Sequence, residues 1–169
     1  MLVNEREVTN AVEERIRRKI IHPFLMQHRC DDGKLHRTGL KYGDVKIIIN
    51  GKETEVECKG EVDGTYNFPW ETYHDFNTGW PGWTVTCEAD LIVYATEDLR
   101  WLVEFELNEA RKLLTQELFD MYGWREVPQK KHKQHNLTML RLVPMRFMKR
   151  KLQSFKDYSD MRNGQLRIF

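Results

Sequence analysis

Apolar residues near the start of the chain recur at every fourth position, a spacing that predicts an amphipathic helix over residues 4–21. The apolar stripe consists of Val8, Val12, Ile16 and Ile20. Asn4 is suited to cap the first turn, and the basic residues 15 and 17–19 are expected to face away from the stripe. Because proline lacks a backbone N–H and blocks the helical ladder, Pro23 is predicted to end the helix.

A β-hairpin is predicted where Asn50-Gly51 separates two strand-like runs, residues 45–49 and 54–59. A two-residue turn fixes the register, so Asp44 is expected to lie directly opposite Glu57, with the two Cβ atoms about 4.5–5.5 Å apart. Lys59 follows Glu57 by two residues and therefore emerges on the same face. The other face is apolar and is expected to be buried; it carries Val45, Ile47, Ile49, Val56 and Cys58.

The remaining elements are predicted from composition and periodicity. Residues 29–43 and 63–82 are rich in turn-forming residues, so the first is expected to be a connection and the second an irregular or short-stranded surface segment. Strands are predicted at about 83–87, 89–95, 100–106 and 138–143. Asn108 is expected to cap a helix that ends at Gly123, and a short basic helix is expected at about 145–156. This order of elements indicates a single domain, residues 1–169, of the α/β or α+β class.

Asp44, with Glu57-Cys58-Lys59 on the adjacent strand and a helix before both, resembles the active-site motif of the PD-(D/E)xK nuclease superfamily. The resemblance implies a restriction-endonuclease-like core, in which a mixed β-sheet is flanked by helices. The segment from residue 67 through Ala89-Asp90 and the hydrophobic strand after it is similar to small phage-encoded members of this kind. One residue departs from the superfamily pattern, since Gly43 stands where a proline usually precedes the aspartate.

The resemblance further implies a metal-dependent hydrolytic site. The metal, Mg²⁺ or Mn²⁺, would be held by Asp44, Glu57 and the main-chain oxygen of Cys58. Lys59 would orient the attacking water or stabilise the negative charge that develops on the phosphate. Glu13 on the preceding helix is better placed than Glu14 to join the catalytic residues. Either Glu13 or Glu71 would complete the metal shell or support a second ion.

The same charges also fit a simpler interpretation, in which this face of the hairpin is exposed and its side chains are ordinary solvated charges. That face carries Asp44, Lys46, Glu53, Glu55, Glu57 and Lys59. Lys46 would then simply pair with Glu55 across the strands. A Glu-x-Lys triplet alone does not discriminate, because both residues are common; what favours the site is the aspartate directly opposite the glutamate.

Composition narrows the class of protein. The chain has 169 residues with 27 Lys+Arg and 26 Asp+Glu, a net charge of +1 that argues against a wholly basic nucleic-acid binder. With 40% hydrophobic and 31% charged residues, it has too many core formers for a disordered chain and too many charges for a membrane protein. Cys30, Cys58 and Cys87 form neither a CxxC pair nor a disulfide framework, so we expect a reducing, cytoplasmic location, in a bacterial host if the protein is phage-encoded.

The near-neutral total conceals an uneven distribution of charge along the chain. Residues 125–151 hold nine Lys/Arg and one acid, a net charge of +8, so the rest of the chain carries −7. Such a basic segment would neutralise phosphates, although it also fits a solvated loop and helix. The residues expected to bind nucleic acid are Lys130, Lys131, Lys133, Arg146, Lys149 and Arg150.

These features predict a metal-dependent nuclease that hydrolyses DNA phosphodiester bonds and does not associate with membranes. A homodimer would suit duplex cleavage, because two strands need two active sites. The alternative is a catalytically inactive protein of the same fold that binds nucleic acid or modulates a host nuclease.

Overall fold

The computed structural model describes residues 5–62, 65–129 and 137–162 and has a mixed α+β architecture with two β-sheets. The strands are β1 (Val45–Ile49), β2 (Lys52–Glu61), β3 (Asn67–Asp75), β4 (Trp80–Pro81), β5 (Leu91–Thr96), β6 (Leu102–Glu106), β7 (Glu126–Gln129), β8 (Thr138–Pro144) and β9 (Lys156–Asp157). The first sheet has the order β1-β2-β5-β6-β9, with β2 and β5 parallel and its other neighbours antiparallel. The second sheet is antiparallel and has the order β4-β3-β8-β7. The predicted α/β or α+β class is therefore confirmed.

Helices flank the sheets. They are α1 (Glu5–Ile16), α2 (His22–Phe24), α3 (Trp83–Thr86), α4 (Leu107–Leu113), α5 (Gln116–Tyr122) and α6 (Met145–Lys151). Two π-helical segments, Arg17–Ile21 and Leu25–Arg29, link α1 to α2 and extend α2. Residues 5–29 thus form one continuous helical stretch, which we call the N-terminal helical stretch.

β1 and β2 form the hairpin that the Asn50-Gly51 turn predicts. Val45 pairs with Val56 and Ile49 with Lys52, which is the predicted register. The turn residues have positive φ, 51° at Asn50 and 76° at Gly51, as a type I′ turn requires. β2 is longer than predicted, because it continues beside β5 as far as Glu61.

The first sheet is buried on both faces, since alternate side chains of its strands enter two different cores. One face contacts the N-terminal helical stretch in a cluster that includes Ile47, Val56, Val93, Ile16, Ile21 and Phe24. The other face contacts the second sheet and α4 in a cluster that includes Ile92, Tyr94, Phe105, Phe68, Trp70, Val143 and Ala110. Glu57 and Lys59 pair with Ile92 and Tyr94, so their side chains lie on this second face.

The N-terminal helical stretch does not end at Pro23, contrary to the prediction, but runs on to Arg29. Pro23 follows a π-helical turn, in which the N–H of His22 donates to the carbonyl of Arg17. It then falls at the start of α2, immediately after this widened turn, a position where proline is tolerated. The widened turn therefore lets the helix continue through the proline.

Residues 63–82 were predicted to be an irregular or short-stranded surface segment, but they include the nine-residue strand β3, with Phe68 and Trp70 buried. Pro69 is tolerated there because β3 is paired only with β8 at that position, and its pairing with β4 begins at Tyr73. Burial of alternate aromatic side chains outweighs the turn-forming residues around them.

The strand predicted at 83–87 is also wrong, because these residues form the short helix α3. The predicted helix ending at Gly123 is interrupted and becomes α4 and α5, of which α5 is capped by the hydroxyl of Thr115. Asn108 lies inside α4 rather than at its cap. Gly123 does end α5, in the left-handed conformation with φ 66°.

Two predicted elements are present near the end of the described chain, although the basic helix predicted at about 145–156 is shorter. The strand predicted at 138–143 is β8, and the basic helix is α6, which ends at Lys151. All three cysteines have free thiols. Among the described residues, no helix combines the length and the apolar character needed to cross a bilayer.

Candidate active site

Asp44 is held at the start of β1 by an unusual conformation of Gly43. The N–H of Asp44 donates to the carbonyl of Val56 at 2.9 Å, and its Oδ2 accepts from the N–H of Cys58 at 2.8 Å. Gly43 has φ 109° and ψ −162°, a region that is essentially restricted to glycine. Proline, whose φ is fixed at about −65°, does not reach this conformation and could not stand at position 43 in this backbone.

Glu57 and Lys59 form a close ion pair on β2. Lys59 Nζ is 2.6 Å from Glu57 Oε1, and it also lies 4.8 Å from the centre of the Trp83 ring, a cation–π contact. Glu57 Oε2 is 3.8 Å from the sulfur of Cys87. Glu57 is only 8% exposed, so it is not the ordinary solvated charge of the simpler interpretation.

The outer part of the same hairpin face does carry ordinary pairs. Lys46 Nζ is 3.1 Å from Glu53 Oε1, whereas the predicted partner Glu55 accepts a hydrogen bond from the hydroxyl of Thr38. The face therefore divides into solvated charges near the turn and a buried group near Asp44.

The guanidinium of Arg17 lies among the oxygens that the resemblance assigns to a metal. Its Nε donates to the carbonyl of Cys58 at 3.0 Å, and its Nη1 is 3.4 Å from Asp44 Oδ1. Its Nη2 donates to Glu13 Oε1 at 3.0 Å. The sequence predicted that Arg17 faces away from the stripe that packs on the sheet, and no motif pointed to it.

A close approach of α1 to β2 places Arg17 and Glu13 at this position. A Cβ added to Gly60 would lie 2.7 Å from Cγ2 of Ile16, so glycine at 60 lets the helix pack directly on the strand. Glu13 and Arg17, one helical turn apart, then lie over the edge of β2 where Cys58 presents its N–H and carbonyl.

A cavity of about 520 Å³ opens between α1, the end of β2 and the second sheet. Its lining brings together Lys59, Glu13 and Glu71, three of the predicted site residues, and adds Glu61 and Trp83. Glu71 extends from β3, and its Oε1 accepts from the N–H of Trp83 at 3.3 Å. Asp44 and Glu57 do not line this cavity; Glu57 adjoins it through Lys59, and Asp44 through Arg17 and Glu13.

Burial and neighbouring charges shift the pKa values of the site. Burial raises the pKa of the Glu57 carboxyl, an effect that Lys59 opposes and Asp44 reinforces. Burial alone would lower the pKa of Lys59, but the carboxylates of Glu57 and Glu13 outweigh it and raise the pKa. The pKa of Arg17 is likewise raised, because Asp44 and Glu13 outweigh burial. Both cations therefore remain charged at neutral pH.

The predicted nucleic-acid-binding residues fall into two groups. Lys130, Lys131 and Lys133 lie outside the described residues. The others are on α6 and exposed: Arg146, Lys149 and Arg150. Lys149 forms an ion pair with Asp157 at 2.8 Å, so Arg146 and Arg150 are the more available contacts for phosphate.

Arg141 belongs to the same basic segment but has a different role. Its guanidinium is buried over the ring of Phe119 and donates to the carbonyl of Trp124 and to Oε1 of Gln116. It therefore stabilises the packing of α5 against β8 and is not available to phosphate.

The oxygens around Arg17 suit a hard divalent cation. Mg²⁺ is commonly bound through one or two carboxylates, with waters in its remaining positions. Within the described ranges, no group of three or more His, Cys, Asp or Glu side chains is placed to hold a metal ion. The oxygens that contact Arg17 are those of Asp44, Glu13 and the Cys58 carbonyl. The guanidinium of Arg17 contacts Asp44 and the Cys58 carbonyl, which indicates that this position favours a positive charge.

Comparison of the chain with protein-family models, with curated proteins and with solved structures gives no match. The resemblance to the nuclease superfamily therefore depends on the site residues themselves.

Proposed function

We propose that this protein is a metal-dependent nuclease of the PD-(D/E)xK type, with a restriction-endonuclease-like core, that hydrolyses DNA phosphodiester bonds. The observation that carries the proposal is the hairpin, whose register ends at Val45 opposite Val56, followed by Asp44, which bonds to the backbone of Val56 and of Cys58 on either side of Glu57. It brings two carboxylates and Lys59 to one end of the hairpin, next to a cavity. Free thiols agree with the cytoplasmic location that we propose, in a bacterial host if the protein is phage-encoded.

The ligands for Mg²⁺ or Mn²⁺ would be Asp44, Glu57 and the carbonyl of Cys58, and the bound ion supplies charge neutralisation at the phosphate and a more acidic water. Lys59 carries three N–H donors, so it can keep Glu57 as a partner while it donates to a phosphate oxygen from the cavity wall. There it stabilises the negative charge that develops as the phosphodiester bond breaks. Arg146 and Arg150 would contact phosphates elsewhere on the DNA.

The test is cleavage of plasmid, single-stranded and branched DNA in Mg²⁺ or Mn²⁺. We expect Asp44→Asn and Lys59→Met to lower the rate by about 100-fold or more, as removal of one catalytic group commonly does. Glu53→Gln is the matched control, because Glu53 is an exposed carboxylate on the same hairpin, and it should cleave like the wild type. Equal rates in the wild type and the Asp44 and Lys59 variants would refute the proposal.

A second candidate function is favoured by Arg17 and Lys59, which already supply a cation to Asp44 and to Glu57. A catalytically inactive protein of the same fold would keep these pairs and bind nucleic acid, or modulate a host nuclease, without turnover. It would show salt-sensitive DNA binding that is weakened by charge reversal at Arg146 and Arg150 and unchanged by Asp44→Asn. Cleavage that depends on Asp44 would exclude it.

A further inference from the structure

We infer that Arg17 is a resident cation of the active site, which competes with a divalent metal for the oxygens of Asp44 and Cys58. The inference rests on the proposed function and concerns the regulation of the same site. Arg17 contacts the carbonyl of Cys58 at 3.0 Å and the carboxylate of Asp44 at 3.4 Å, which are two of the three oxygen sources that a metal would use.

Arg17 and a metal ion compete for these oxygens. The guanidinium has only donors and needs lone pairs of the same carbonyl and carboxylate that would coordinate the ion. The Arg17 guanidinium, 3.4 Å from Asp44 Oδ1, would also repel a metal ion bound to that carboxylate, because the site is half-buried. The Arg17 contacts to Asp44 and Cys58 therefore weaken metal binding, and a bound metal weakens those contacts in turn.

Arg17 has two other acidic partners on α1, Glu13 and Glu14. Its Nη2 already donates to Glu13, and its Nη1 is 3.8 Å from Glu14 Oε2. A small rotation of the side chain toward α1 would release Asp44 and Cys58 while ion pairs with the two glutamates remain. Arg17 is also the first residue of a π-helical segment, a local departure from α-helix that often occurs at functional sites.

The effect of Arg17 on metal affinity should be large enough to measure. Hydrogen bonds to charged groups contribute about 1.5–3 kcal/mol, so removing Arg17 should tighten metal binding by about ten- to hundredfold. The neighbouring Arg18 provides the matched control, because it pairs with Glu14 at 2.6 Å and its side chain is 73% exposed.

We would titrate MnCl₂ into the full-length wild type, Arg17→Gln and Arg18→Gln by calorimetry, and record thermal melts with and without Mn²⁺. We expect Arg17→Gln to bind Mn²⁺ about ten- to hundredfold more tightly than the wild type and Arg18→Gln to bind like the wild type. Without Mn²⁺, Arg17→Gln should melt at a lower temperature than Arg18→Gln, because Asp44 and Cys58 lose their cation. Mn²⁺ should then raise its melting temperature more than that of the wild type.

Two further variants keep the test decisive. Adding Asp44→Asn to Arg17→Gln should abolish the tight binding, which locates the ion at this site. If Arg17→Gln does not fold, Arg17→Lys replaces it, since lysine keeps the charge but lacks the planar fork and should bind Mn²⁺ with intermediate affinity.

The outcomes separate the two proposals. Asp44-dependent Mn²⁺ binding of equal strength in the wild type and both Arg17 variants would overturn the role of Arg17 and leave the proposed function standing. Absence of any Asp44-dependent Mn²⁺ binding in all variants would overturn both.

Discussion

Replacing Gly43 by alanine should destabilise the protein, because the start of the hairpin depends on one glycine conformation. At φ 109° and ψ −162°, an alanine backbone is strained by about 1–3 kcal/mol. The new Cβ would also lie 2.7 Å from the carbonyl oxygen of Val56 and 3.0 Å from the nitrogen of Glu57. Both are backbone atoms of β2, so the strand itself must move, which we take to cost about 1–3 kcal/mol more, as overpacking does.

We therefore expect Gly43→Ala to lower the free energy of unfolding by about 4 kcal/mol and the melting temperature by about 8–16 °C. Gly79→Ala is the matched control, since Gly79 also has positive φ, 72°, but nothing lies within 4 Å of the added Cβ. It should lose only about 1–2 kcal/mol. Urea unfolding followed by circular dichroism measures both, and equal losses in the two variants would refute the assigned role of the Gly43 contact.

Two other substitutions test the charges inside the fold. Burial raises the pKa of Glu61 although the Tyr94 hydroxyl donates to it at 2.8 Å, so the wild type should lose stability as pH rises through this pKa. Glu61→Gln should become more stable relative to the wild type as the pH rises above about 4.5, the ordinary pKa of Glu, by about 1.4 kcal/mol per unit of pKa difference. A stability difference that stays constant when urea unfolding is measured at several pH values would contradict this. Arg141→Met should lower the free energy of unfolding by about 2–3 kcal/mol by leaving the Trp124 carbonyl unpaired. Arg141→Met should leave the salt dependence of DNA binding unchanged. Arg150→Ala should reduce the slope of the logarithm of the binding constant against the logarithm of the salt concentration by about 1. A reduced slope in Arg141→Met would indicate instead that Arg141 contacts the DNA.

The geometry of the hairpin could be predicted from sequence because its determinants are local. Asn50-Gly51 fixes the turn and hence the register, and strict alternation along β2 decides which side chains share a face. These two facts were enough to predict that Asp44 lies near Glu57 and that Lys59 lies beside Glu57. They could not show that the face of Glu57 is buried, because that depends on the second sheet packing over it.

Arg17 could not be predicted, because its position depends on how a helix docks on a strand. Helical projection assumes a uniform α-helix, whereas the chain changes to π-helix at Arg17 and α1 approaches β2 through Gly60. The same π-helical turn explains why Pro23 does not stop the helix. Neither feature has a sequence signal in this chain.

At residues 83–87, tertiary contacts override the local preference for a strand. The β-branched residues 84–86 favour a strand, but the Thr84 hydroxyl donates to the carbonyl of Glu71, and the N–H of Cys87 closes a helical turn on the carbonyl of Trp83 at 2.9 Å. Gly82 makes this possible, because a Cβ there would collide with the backbone of Glu71.

The measurement that tests the central claim most directly is a crystal structure with bound Mn²⁺, in which anomalous scattering locates the ion without reference to activity. We predict one Mn²⁺ ion ligated by Asp44, Glu57 and the carbonyl of Cys58, with Lys59 beside it and Arg17 moved toward Glu13 and Glu14. A structure at saturating Mn²⁺ in which Arg17 still donates to Cys58, and no ion lies against Asp44, would contradict the account.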